Sequence, residues 1–261
     1  KRSMTATYKS KLRKEDIVSF LWQHVWLLAA LYVMTLGVAL CVRSNLGSSV
    51  ISTIPFVMTQ AGEIGKAPAL TIGEYTYLMN AVFVAIQILV LRKRFEIVQL
   101  FQLVIGFFFG FLLDVNMLIT SPLVCDTLLP QAIVQLLGCT VLGIGIAFEV
   151  RCGSVTMPGE GITIAFSKVT GRPFPKTKIV VDTTLVVIAI ILGYVFFGHW
   201  LWNVTGVGTL FAMVYVGMVV KFINPHISWF DRVLAYVPGF RRYIYGLARY
   251  IYLPHHRKHH K

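Results

Sequence analysis

The sequence predicts an all-α polytopic membrane protein: six transmembrane helices arranged as two inverted three-helix repeats, each with a short re-entrant or broken half-helix. Three observations predict it. Of 261 residues 56% are apolar and only 13% charged, against roughly 25% charged in a soluble domain. Six stretches reach the roughly 20 apolar residues that cross about 30 Å of hydrocarbon. A motif late in the first stretch also returns 106 residues later.

The six stretches are Trp22 to Val42, Ile72 to Leu91, Ile97 to Leu118, Ala132 to Val150, Ile179 to Phe197 and Val204 to Phe222. Their cores are Leu/Val/Ile/Phe runs without an amphipathic face, which suits helices surrounded by lipid. The first is too long for a signal-peptide core and no small-x-small cleavage site follows it. Val38-Ala39-Leu40-Cys41 carries Leu40 where a lipoprotein cleavage site needs a small residue. The chain divides into a cytoplasmic basic N-terminal segment (1–21), repeat 1 (22–118, half-helix 48–59), an outer linker (119–130), repeat 2 (131–223, half-helix 158–167) and a cytoplasmic end (224–261). Within that end, residues 228 to 252 interleave Trp229, Phe230, Tyr236 and later tyrosines with arginines, as a helix lying on anionic lipid does.

Direction follows from the basic residues, because loops rich in Lys and Arg stay cytoplasmic. With both termini inside, 22 of the 24 Lys and Arg fall on the inner side, and only Arg43 and Lys66 fall outside. The net charge of +13 therefore encodes orientation. A nucleic-acid reader shows a basic face on a polar domain instead, so no nucleic-acid partner is expected.

Leu36-Gly37 returns at Leu142-Gly143. An offset of 108 then pairs Ser52 with Glu160 and Glu74 with Asp182, and Gly110 and Gly217 recur in the third helix of each half. A unit with three spanning helices enters the membrane from the opposite side when duplicated, and inverted repeats of this kind build secondary transporters with midplane sites at broken helices. Val50 to Met58 and Ile162 to Phe166 are too short to span, and each follows a Gly/Ser/Pro-rich turn. Surface loops with short interfacial helices are the alternative to re-entrant breaks.

The turns supply the candidate substrate-binding residues: Gly47, Ser48, Ser49 and Ser52 in the first half, and Ser154, Gly159, Glu160 and Gly161 in the second. A half-helix N-terminus offers free N–H groups to an anion. Among the intramembrane acids, which mark pathways or proton relays by default, Glu160 stands first because two glycines flank it at the break. Glu74 and Asp182, early in equivalent helices, are candidate gates, or else N-terminal carboxylates favoured by the helix dipole. Asp114 and Glu149 lie near helix ends, where solvated interface is expected. Arg43 and Arg151 end the first and fourth helices as candidate anion clamps, or else as snorkelling side chains. Cys41, Cys125, Cys139 and Cys152 lack metal-ligand spacing and read as small apolar residues. His255, His256, His259 and His260 read as a solvated tail, and the sequon at Asn203 abuts a helix. No metal site and no cofactor is expected.

Taken in order, these motifs resemble the YczE/YitT group of bacterial integral membrane proteins over residues 30 to 225. Leu46-Gly47-Ser48-Ser49 is similar to that group's LG-x-S motif, and Pro158-Gly159-Glu160-Gly161 occupies its second, acidic motif with Glu for Asp. Thr170-Gly171-Arg172 and Gly206-Val207-Gly208-Thr209 are similar to its later landmarks. Ser52 stands where relatives often carry an acid, which departs from a symmetric acidic pair. The resemblance implies a bacterial cytoplasmic membrane and no particular substrate. The function expected is secondary transport or export of a small polar metabolite, a carboxylate or zwitterion. The partners expected are the bilayer and that metabolite, with self-association into a homo-oligomer left open. A non-transporting membrane partner or scaffold is the alternative. A lipid-directed enzyme is disfavoured because HExxH, paired DxxD and Ser/His arrangements are missing.

Overall fold

The computed structural model describes residues 14–153 and 155–236. Its elements are α1 (Lys14–Arg43), α2 (Thr53–Glu63), α3 (Ile72–Leu91), α4 (Phe101–Ile119), α5 (Leu128–Cys152), α6 (Pro158–Thr170), α7 (Phe174–Phe197), α8 (Val207–His226) and α9 (Trp229–Leu234). Six of them, α1, α3, α4, α5, α7 and α8, are long and apolar enough to cross a membrane. That makes the chain a multi-pass membrane protein, and among the described residues there is no strand.

Local chemistry sets the boundaries. Thr71 and Glu74 close a capping box at the start of α3, satisfying two N–H groups that a helix start leaves open. Pro158 opens α6, and Gly171 ends it at φ +68, a left-handed conformation that glycine adopts without strain. Pro173 precedes α7, so that helix begins five residues before the apolar run predicts. Conversely, α8 begins only at Val207, because Val204 O accepts from Ser48 N and Gly206 lies against Leu46 O.

The core is an antiparallel crossing of α1 and α5. A Cβ at Gly37 would lie 2.4 Å from Leu142 N, one at Gly145 2.6 Å from Met34 N, and one at Gly138 2.9 Å from Cys41 N. Small residues thus bring two backbones together, the packing device that membranes favour where apolar burial drives nothing. Cys41 and Cys139 face each other across this crossing at 3.8 Å as free thiols. Gln23 of α1 donates to the Cys152 carbonyl at 2.6 Å. The helix pair α3 and α4 is also antiparallel, joined at one end by Gly73 against Gly110 and at the other by Gln87 with Gln102 at 3.1 Å.

The two short helices begin side by side. A Cβ at Gly159 would meet Ile51 Cδ1 at 2.5 Å and Phe83 at 3.9 Å, halfway along α3. From there α6 runs to the end of α3, where Ile164 and Ala165 pack on Leu91. In the other direction α2 runs along α7, where Val57 packs with Ala189 and Phe196. The expected half-helix 48–59 is thus a 3-10 turn, Val50–Ser52, followed by α2, which extends to Glu63.

Two expectations change. Glu149, expected at a solvated interface, is 3% exposed, because α5 continues past it to Cys152 and the α6 start folds over it. The segment expected to lie on lipid is described only to Tyr236, and its helix α9 buries Phe230 and Leu234 in the main core. Phe230 stacks edge-on against Trp26 and Phe148, so α9 plugs the end of the α1/α5 crossing. The histidine tail lies outside the described residues.

Close backbone contact makes the crossing sensitive to single methyl groups. Gly37→Ala is expected to lower stability by at least about 2 kcal/mol, since backbone atoms cannot rotate aside. Gly217→Ala, where nothing lies within 4 Å, leaves it unchanged. Thermal unfolding of both variants in detergent measures the contrast.

Candidate functional site

A chain that leaves helical geometry inside an apolar bundle must pair its exposed N–H and C=O groups, each costing several kcal/mol if left alone in hydrocarbon. The first break, residues 44 to 52, does this against the start of α8. Ser48 N and Ser48 Oγ both bond to Val204 O, at 2.9 and 3.1 Å, and Gly208 N donates to Leu46 O at 2.7 Å. Gly47 sits at φ +127 with a Cβ position 2.5 Å from Thr209 Oγ1, and a Cβ at Gly206 would lie 2.3 Å from Leu46 O. Gly206-Val207-Gly208-Thr209 is therefore the socket for the first break. Gln135 completes it, accepting from Ser44 Oγ at 2.6 Å and donating to Gly208 O at 2.9 Å.

Within the break, Ser49 Oγ and Ser52 Oγ lie 2.7 Å apart, and Ser52 Oγ donates to Ser49 O at 2.9 Å. The second break is held similarly by α3 and α4. Gln87 Nε2 donates to Pro158 O at 3.3 Å, and a Cβ at Gly161 would lie 2.6 Å from Gln102 Oε1. Glu149 accepts the Met157 N–H, while its Oε2 has no hydrogen-bond partner among the described residues. Neither Ser52 nor Met157, the residues preceding α2 and α6, gives a side-chain cap.

A cavity of about 310 Å³ opens where the two short helices begin. Ser49, Val50 and Ile51 line it from the first break, and Met157, Gly159 and Glu160 from the second. Its third wall is α7, which contributes Lys178 and Asp182, paired at 2.7 Å across one helical turn. Glu160 lies within electrostatic reach of both. The remaining walls, Met34, Phe109, Ile146 and Val216 among them, are apolar mid-helix residues. Two carboxylates, one ammonium, the start of the Val50–Ser52 turn and the start of α6 thus face one small space. That set can hold a ligand carrying both charges, or exchange a proton through Glu160. Among the described residues no three His, Cys, Asp or Glu gather closely enough for a metal ion.

The chain belongs to a family of unknown function, DUF6198, whose model matches residues 21–225. The match runs from within α1 to near the end of α8 and so takes in both breaks and the whole cavity. No curated protein and no solved structure matches the chain. The model names this family and not the YczE/YitT group.

Of the residues predicted from sequence, Ser49, Gly159, Glu160 and Asp182 line the cavity. Gly47, Ser48, Ser52 and Gly161 hold the breaks in shape behind it. Ser154 lies outside the described residues. Glu74 is exposed in the α3 capping box, and Asp114 fixes the same helix start by bonding Thr71 Oγ1 and Gly73 N at 2.6 and 2.8 Å. Neither lines the cavity. Arg43 donates to Met117 O at 2.8 Å. Arg151 is held by Asn224 Oδ1 at 3.0 Å, by Asn224 O and by Asp231, tying α5 to α8 and α9. Lys178 is the cavity residue the sequence reading missed, and its signal was the spacing of four residues before Asp182.

With three bonds to the chain itself, Arg151 acts as a structural tie. Arg151→Gln is expected to lower stability by about 1–3 kcal/mol in thermal unfolding while leaving ligand-induced stabilisation of the folded protein intact. Lost ligand response with unchanged unfolding would restore the anion-clamp role.

Proposed function

We propose that the chain is a secondary transporter or exporter of a small polar metabolite, a carboxylate or a zwitterion, bound between the two breaks. The observation that carries the reading is the convergence of both half-helix starts with Glu160, Asp182 and Lys178 on one cavity. In this reading Glu160 receives the ligand's ammonium group or the coupling proton. The N–H groups of Val50 and Ile51, which open the turn before α2, and of Gly159 in α6 receive its carboxylate. Kinship with the YczE/YitT group is part of the same proposal, as is a bacterial cytoplasmic membrane with both termini inside, which the placement of the basic residues favours.

The proposed inverted repeat draws support from mirrored packing. Each short helix packs against both α3 and α7, and α1 crosses α5 antiparallel. The halves differ in closure. At Gly110 a Cβ would lie 2.5 Å from Gly73 O, whereas at Gly217, its counterpart in the proposed repeat, nothing lies within 4 Å. Correspondingly α3 packs along α4, while α7 and α8 do not pack along each other, and the cavity lies between them. One half closed and the other open is the asymmetry that alternating access between inverted repeats requires.

The test begins with purified protein and a panel of carboxylate and zwitterionic metabolites scored by thermal stabilisation. A stabilising metabolite is then taken into proteoliposomes under an imposed pH gradient. Glu160→Gln is expected to abolish gradient-driven uptake while the unliganded protein unfolds at an unchanged temperature. Uptake with unaltered pH dependence in that variant would overturn the role of Glu160. The scaffold reading has its own observation: α7 and α8 are the least buried spans, at 17% and 22% of their apolar windows. A stoichiometric protein co-purifying in mild detergent, with no flux in proteoliposomes, would favour it.

A further inference from the structure

A second and larger recess, about 570 Å³, lies on the outside of the bundle. It exists because α3 and α7 do not pack along each other; the two short helices hold them apart. Leu78 and Val82 of α3 form one rim, Val180 and Ile188 of α7 the other, and Ile162 and Phe166 of α6 the floor. These rim residues are exposed, so the crevice faces hydrocarbon along its length. From Thr177 to Ile188 it follows α7 for about 16 Å, close to the roughly 15 Å depth of one leaflet's hydrocarbon.

Its polarity is not uniform. Thr170, Arg172 and Thr177 gather at the end where α6 hands over to α7. This is the end of the bundle that carries the Arg92-Lys93-Arg94 run, Arg151 and Lys221. Arg172 is held there by its backbone: the buried Ser167 hydroxyl donates to Arg172 O at 2.6 Å, and Gly171 turns the chain at φ +68. Its exposed guanidinium forms no ion pair among the described residues. An apolar slot one leaflet deep with a fixed cation at its mouth matches an amphiphile with an anionic head.

We infer that this crevice binds one anionic phospholipid of the leaflet at the Arg172 end, its phosphate at Arg172 and one acyl chain between α3 and α7. The recess volume falls within the 300–1,000 Å³ typical of ligand sites. The acyl chain rests on Ile162 and Phe166, and Ile162 shares an apolar cluster with Ile51 and Val50 of the first break. The lipid therefore braces the junction of the two short helices from the side opposite the polar cavity. This inference does not depend on transport.

The experiment is native mass spectrometry of the delipidated full chain, titrated with phosphatidylglycerol or phosphatidylethanolamine of identical acyl chains, with thermal unfolding in parallel. The wild type is expected to retain one phosphatidylglycerol more tightly than phosphatidylethanolamine and to gain thermal stability from it. Arg172→Gln weakens phosphatidylglycerol about fivefold, the loss of one surface cation worth about 1 kcal/mol, and leaves phosphatidylethanolamine unchanged. Val82→Trp, on an exposed rim, fills the slot and weakens both lipids, while Lys221→Gln changes neither. Equal retention of the two lipids, indifference to R172Q and V82W, or a dimer whose formation displaces the lipid would each overturn the inference.

Discussion

Every part of this molecule that differs from a plain helical bundle answers one requirement: backbone polar groups at mid-bundle must find partners inside the protein. Helices satisfy it automatically. The two breaks do not, and each has recruited helices from the other half of the chain. Residues 46 to 48 bond to Val204 and Gly208, and the start of α6 rests on Gln87 and Gln102. Interlocking of this kind couples the halves more rigidly than apolar contact alone, because a lost backbone bond in hydrocarbon has no water to replace it.

The same requirement explains where the glycines stand. Gly206 and Gly208 let a peptide strand lie against the α8 start, Gly161 admits the Gln87 and Gln102 amides, and Gly37, Gly138 and Gly145 admit helix α5 to α1. In each case the neighbour is backbone or a buried amide, so even a methyl group would intrude. Among the described glycines inside helices Gly217 is the exception, facing open space at the cavity wall. A glycine with nothing against it either packs nothing or packs something in another arrangement of the helices.

Much of this was legible in the residues. Hydropathy and length reveal six helices because a bilayer demands a minimum apolar run, and each predicted run overlaps its observed helix. The breaks were legible as Gly/Ser/Pro turns followed by apolar stretches too short to span. Less legible was anything fixed by contact between distant segments. Glu149 reads as a helix-end carboxylate, and only the fold of α6 over it shows it buried. Arg151 reads as a free cation at a helix end, and only α9 shows its partners. Phe230 and Leu234 read as interfacial residues because tyrosines and arginines surround them, yet the end of the α1/α5 crossing leaves a hole of their size. Periodicity reports which residues share a face, not what arrives to cover it.

The scarcity of acids gives the cavity its character. Lys178 and Asp182 form a pair one turn apart on α7, which leaves Glu160, among the described residues, as the only cavity carboxyl group outside that pair. Behind it stands Glu149, with one oxygen on Met157 N–H and the other without a hydrogen-bond partner among the described residues. Two neighbouring carboxylates and two helix starts oppose each other electrostatically: the helix dipoles favour negative charge, while the second carboxylate and the dry surroundings disfavour it. In the proposed reading, the arrival of one cation, whether a proton or a ligand's ammonium group, shifts that balance. Under the proposed function such a site would respond to its occupant, whereas a fully neutralised one would hold its charges indifferent to whatever enters.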